Sequence, residues 1–235
     1  MRVITNEAFI ERNARIARYA GVGGLLVLAV GAYISFTAPE NIIWAWVALI
    51  AGFALAQIGV YFGNRWGRRP RMYELITREL KGFDQNYALY HYYTPASHLL
   101  VGPCGIWVIF PFYQRGIITY ENGRWRQRGG GLFLAYMRLF AQEGLGRIEW
   151  QIQGELDALK RFLKEKVDEE LLDEVQAVLV FTNEQAVVDA DDAPYPTIPL
   201  KKLKETIKKA VKSTPLSLPK AKAVQDAIEL SITRK

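Results

Sequence analysis

The chain has a single cysteine, Cys104, and so carries no intrachain disulfide that an oxidising compartment would have to maintain. With no basic partner evident for it, Cys104 reads as a small buried hydrophobe rather than a nucleophile. Charge is missing over two long stretches. No charged residue lies between Arg18 and Glu40, and none between Glu40 and Arg65; the gaps hold 21 and 24 residues. Each matches the roughly 20 residues a helix needs to cross a bilayer core. A secretory signal peptide has an apolar core of only about 7–15 residues and is not followed at once by a second span. Buried core helices of this length are unusual in a domain of this size.

What is present around the gaps makes them a helical hairpin. Thr37-Ala38-Pro39-Glu40-Asn41 supplies a helix break and a polar turn between spans expected at 19–37 and 42–62. Arg12, Arg15 and Arg18 precede the first span, and Arg65, Arg68, Arg69 and Arg71 follow the second, while the turn has no Lys or Arg. The positive-inside rule then puts both termini in the cytoplasm of a multi-pass protein of the cell membrane, with the lipid bilayer as its first partner. The expected division is a cytoplasmic segment at 1–18, the hairpin at 19–64 and a cytoplasmic domain at 65–235. Gly52, Ala56, Gly59 and Gly63 fall on one stripe of the second span, and Ala20, Gly24 and Gly31 make a similar strip on the first. Such strips let helices approach closely, either within the hairpin or in a homodimer. Gln57 is the one strongly polar side chain deep in either span, which is too little for ion or proton transport.

Beyond the hairpin the pattern is mixed. A short helix over 72–82 ends at Gly82, and strands are expected over 87–94, 98–102, 105–110 and 116–120. Glu121-Asn122-Gly123-Arg124 is a hairpin turn, because Asn-Gly suits the positive φ angles of type I′. Trp125 opens the return strand. Helices follow over 132–143 and 148–166, the second with Ile152, Leu156, Leu159, Leu163 and Val167 on one stripe. Residues 175–181 are continuously apolar, as in a strand buried on both faces. The acidic run over 165–174 reads as an exposed helix end and 194–199 as a connection, before helices over 200–212 and 219–232. The expected fold is an α/β domain with one mixed sheet covered by helices.

The run His98-Leu99-Leu100-Val101-Gly102-Pro103-Cys104-Gly105-Ile106-Trp107-Val108-Ile109 resembles the nuclease-related domain (NERD) family of the PD-(D/E)XK nuclease-like superfamily. Gly116, Trp125, Gln151 and the strand Val178-Leu179-Val180-Phe181 fit the family's pattern further on. The resemblance covers about 72–232 and implies a restriction-endonuclease-like fold. It also implies a Mg²⁺ site built from an Asp on one strand and a Glu-x-Lys on the next. At those places the chain has Ser97, followed by His98, and then Phe110-Pro111-Phe112. Neither an oxygen ligand nor an ammonium remains, so no catalytic residue, metal or cofactor is assigned. Asp84, Glu74 and Glu121 are the carboxylates available to a nuclease with relocated ligands.

Charge separates the remaining partners. Residues 72–199 hold 12 Lys and Arg against 18 Asp and Glu, a net of −6, whereas 200–235 hold 10 against 3, a net of +7. The local basic cluster is Arg115, Arg124, Arg126 and Arg128, beside the aromatic residues Tyr113, Tyr120 and Trp125. A polyanion contact there is the nucleic-acid reading, and it is not the favoured one, since a DNA-gripping domain shows a basic face on its core. The lysine-rich tail suits either solvent or anionic headgroups. The expected function is a non-catalytic, membrane-anchored interaction or scaffold module. The alternatives are a nuclease with relocated ligands and an accessory subunit of a larger membrane complex.

Overall fold

The computed structural model describes residues 1–129, 145, 147–213 and 215–233. The helix expected over 132–143 lies outside the described residues. Two compact units form, one from residues 7–71 and one from residues 1–6 together with the described residues from 72 onward.

The first unit is the hairpin. Helix α1 (Glu7–Thr37) and helix α2 (Ile42–Phe62) are joined by a 3₁₀ turn at Pro39–Asn41, and a five-residue π-type turn follows at Gly63–Gly67. The second helix has the bounds its composition implied. The first begins at Glu7 instead of 19, so Arg12, Arg15 and Arg18 ride on it. Glu7 in its first turn complements the helix dipole. Glycines set the contact between the two helices. A Cβ on Gly24 would fall 2.7 Å from the Ala56 amide nitrogen, and one on Gly59 would fall 2.7 Å from the Gly21 Cα. Backbone meets backbone there, which any side chain would prevent. Both helices are long and apolar enough to cross a membrane. Only 11% of the most apolar stretch of α1 and 17% of that of α2 is buried, whereas the core helix of a soluble domain would be mostly covered.

The second unit is an α/β domain. Its main sheet has six strands in the order β1 (Arg2–Thr5), β2 (Ala88–His91), β3 (His98–Gly102), β4 (Gly105–Phe112), β7 (Val175–Phe181) and β9 (Thr197–Pro199). Strands β2, β3 and β4 form an antiparallel meander, and β7 runs parallel to β4. The edge strands β1 and β9 pair parallel to their neighbours. Alternation along these strands sends two sets of side chains to opposite faces. Tyr90, Leu99, Val108, Phe110 and Leu179 share one core with helix α4 (Ile148–Leu163) and helix α7 (Leu218–Thr233). Leu89, Leu100, Trp107, Ile109, Val178 and Val180 share another with helix α3 (Met72–Glu79) and helix α6 (Leu203–Ser213).

Several expectations change. Residues 2–5 are a strand of this sheet, with Val3 opposite Leu89. A second sheet of three strands, β6 (Arg124–Arg128), β5 (Gly116–Glu121) and β8 (Ala186–Asp189), replaces the single expected sheet. The stretch at 194–199 contains β9, whose Ile198 pairs with Val180. Strand β2 stops at His91, because Tyr92 has a φ of 60° and turns the chain away. The acidic run holds one four-residue helix, α5 (Glu170–Asp173), after α4 has ended at Leu163. The leucines of α4 cover one face only; Leu100, Val178 and Val180 lie on the other.

Candidate functional site

The positions where the resemblance implies a metal site lie near the end of the β3–β4 ladder, whose last pair is Leu99 opposite Val108. Phe112 pairs with Phe181 of β7. The side chains there are hydrocarbon. Phe110 is 1% exposed and Phe112 6%. The rings of Phe112 and Phe181 stack with centroids 5.4 Å apart. Burying each ring contributes roughly 1.5–3 kcal/mol.

One carboxylate does reach this edge, and composition had not singled it out. Glu155 of α4 accepts a hydrogen bond from the Ser97 amide, at 2.9 Å. The Gln151 side-chain amide, one turn earlier, donates to the same carboxylate at 3.4 Å. The i, i+4 spacing of Gln151 and Glu155 beside the apolar stripe was the available signal. The three other acids are occupied elsewhere. Asp84 accepts the Asn86 amide at 2.9 Å in a turn before β2. Glu121 pairs with Arg128 at 2.6 Å on the small sheet. Glu74 sits on α3, which covers the opposite face of the main sheet. Among the described residues no three His, Cys, Asp or Glu side chains are grouped to hold a metal.

His98 does not face this edge. It alternates with Leu99 and so points to the α3 side, where it is buried against His91. The two Nδ1 atoms are 2.8 Å apart, so one ring donates a proton to the other's lone pair. The other nitrogen of His91 lies 3.0 Å from the Thr77 hydroxyl of α3. Burial lowers the His91 pKa to about 3. Burial, and then the neighbouring His91, holds His98 well below the ordinary imidazole range. Both rings are neutral at pH 7. Cys104 is equally inert, because burial pushes its thiol up to about 12.

The glycine and tryptophan skeleton has structural work to do. A Cβ on Gly102 would lie 2.5 Å from the Tyr87 ring, and Gly105 has a φ of 99°, in the region that favours glycine. Pro103 offers its carbonyl to the Leu216 amide at 3.0 Å. Gly116, at a φ of 99°, starts β5 by donating to the Gln185 carbonyl at 3.3 Å. Trp125 is buried, with its indole N–H donating to Thr197 at 3.1 Å and its ring against Tyr120. It is therefore closed to stacking on a base. Arg124, Arg126 and Arg128 project on the exposed face of the small sheet, where Glu121 pairs with Arg124 in register and Asp189 follows one strand over. Acid is interleaved with base on that face. Arg115, just before β5, uses its carbonyl to accept the Gln127 side-chain amide at 2.8 Å.

Neither a family model, a curated protein nor a solved structure matches the chain.

Proposed function

We propose that the chain is a membrane-anchored, non-catalytic NERD-like module that works by interaction at the cytoplasmic face of the cell membrane. The observation that carries this reading is the packed edge at Phe110 and Phe112, where hydrocarbon stands in for a carboxylate and an amine. The restriction-endonuclease-like part of the reading is supported by connectivity: a helix, the β2–β3–β4 meander, α4, and then β7 parallel to β4. Anchoring is supported by large apolar side chains left exposed along the hairpin, among them Leu25, Phe36 and Ile50. The aromatic residues Tyr19 near one end and Trp44 and Trp46 near the other suit the two interfaces of a bilayer. The side of the membrane is supported twice. Seven arginines flank the spans. In addition, β1 before the hairpin and α3 after it belong to one folded unit, so a chain that crosses outward must cross back.

The rival from another class is metal-dependent phosphodiester cleavage, with Glu155 as the one carboxylate found at the edge among the described residues. The test is a nuclease assay on the full chain in detergent with Mg²⁺ or Mn²⁺, on single- and double-stranded DNA. Both substrates should stay intact. Replacing Phe110 with Glu should restore nothing and should lower the melting temperature, because an unpaired carboxylate in an apolar site costs several kcal/mol or takes up a proton. Cleavage that copurifies with the chain and is lost in Glu155→Gln would overturn the proposal.

A further inference from the structure

The hairpin unit carries a groove of about 520 Å³ along the junction of its two helices. Its two ends differ in chemistry. Arg18 and Arg68 line one end, and Val22, Leu25 and Val60 line the apolar remainder. Arg18, Val22 and Leu25 recur at helical spacing, so the cation and the apolar wall share one face of α1. Gly21 and Gly63 leave the groove open, since a Cβ added at either meets nothing within 4 Å. A volume of this size suits a small-molecule ligand.

We infer that this groove holds one anionic phospholipid, its phosphate between Arg18 and Arg68 and an acyl chain along Val22, Leu25 and Val60. The inference rests on the membrane reading given above. Two cations at the end of an apolar trough match an amphiphile with a charged head, and basic pockets beside spanning helices on the cytoplasmic side take such headgroups. A water-soluble phosphate would gain nothing from the apolar wall. A second copy of the chain fits poorly. It would bring two more arginines to this face with no acid among the groove's lining residues to pair them.

The experiment is native mass spectrometry of the full chain in detergent, with phosphatidylglycerol or phosphatidylcholine of identical chains. The wild type should prefer phosphatidylglycerol by about thirtyfold, on the order expected for two bases near a membrane surface. Arg18→Gln with Arg68→Gln should abolish the preference. Lys208→Gln with Lys212→Gln, on the exposed side of α6, should leave it intact. Gly63→Leu, which fills the groove without touching the packing, should weaken binding of both lipids together. A preference that survives the double arginine change, or one lost only with the lysines, overturns the proposal. So does a dimer whose formation Gly63→Leu blocks. Alkaline carbonate extraction of the native membranes tests the underlying reading separately. Release of the chain without detergent overturns the anchoring itself, whereas a retained chain with no lipid preference overturns only the groove.

Discussion

Two histidines and two phenylalanines show how a residue's meaning depends on the face it takes. His98 and Phe110 belong to one sequence motif, yet they lie on opposite sides of the main sheet, because β3 and β4 alternate. On its side His98 forms a neutral pair with His91, flanked by the rings of Tyr73 and Tyr92. That pair has a consequence for pH. Both folded pKa values are depressed, to about 3 for His91, while the unfolded chain takes up protons below about 6.5. Stability from the pair is therefore fully present above pH 6.5 and is lost as pH falls toward 3. The loss should grow with each pH unit below 6.5, both rings acting in the same direction. Urea unfolding of the full chain at pH 7 and pH 5, followed by tryptophan fluorescence, measures it. His91→Gln with His98→Gln should lower stability at pH 7 and flatten the slope between the two pH values. An equal slope in wild type and variant would assign the acid sensitivity to other groups.

At the scale of elements, the glycine stripe of α2 serves its own hairpin. Gly52 and Gly59 lie against α1, with a Cβ on Gly52 falling 2.8 Å from the Leu28 amide nitrogen, whereas Gly63 opens outward. Residues of one sequence stripe thus have different tasks, because the turn at Gly63–Gly67 departs from α-helical pitch. Gly59→Leu should force the helices apart, since backbone atoms cannot yield as a flexible side chain would. Gly63→Leu should be tolerated. Paired cysteines placed at Gly31 and Ala48, where a Cβ on the glycine would lie 3.0 Å from the Ala48 Cβ, offer a readout: oxidative cross-linking within the chain should fall several-fold in the Gly59→Leu background and persist in the Gly63→Leu background. Equal cross-linking in both would refute the backbone contact.

For the whole molecule, the pairing of β1 with β2 ties the first residues of the chain to a domain that otherwise begins at residue 72. Asn6, the last residue before α1, donates its backbone N–H to the His91 carbonyl at 3.0 Å and its side-chain amide to the Tyr92 carbonyl at 3.1 Å. The hairpin is an insertion between a strand and a helix of one folded unit, and both its connections must lie on one side of any membrane it crosses. With the flanking arginines on the cytoplasmic side as proposed, cysteine labelling in intact cells should reach position 40 but neither position 6 nor position 70. Labelling at positions 6 and 70 with protection at position 40 would invert the orientation. Labelling at only one of positions 6 and 70 would break the topology itself.

Local chemistry was enough to determine the second long helix, the end of the first at Thr37, the Pro39 break and the strands at 98–102 and 175–181. Each depends on an uninterrupted apolar run or on a residue that cannot continue a helix. The Asn122-Gly123 turn was equally legible, and both residues have the positive φ it demands, at 52° and 75°. That Phe110 and Phe112 offer a metal no ligand atom was visible from their residue types alone. Tertiary structure decided the rest. Strand β1 is four residues long and β9 three, too short for any periodicity, and each exists because a neighbouring strand offers it hydrogen bonds. Glu155 reaches Ser97 across 58 positions of sequence, and the His91–His98 pair forms because Tyr92 turns the chain back through a left-handed φ. Spacing reports neighbours along an element, whereas these contacts depend on which faces the folded sheet brings together.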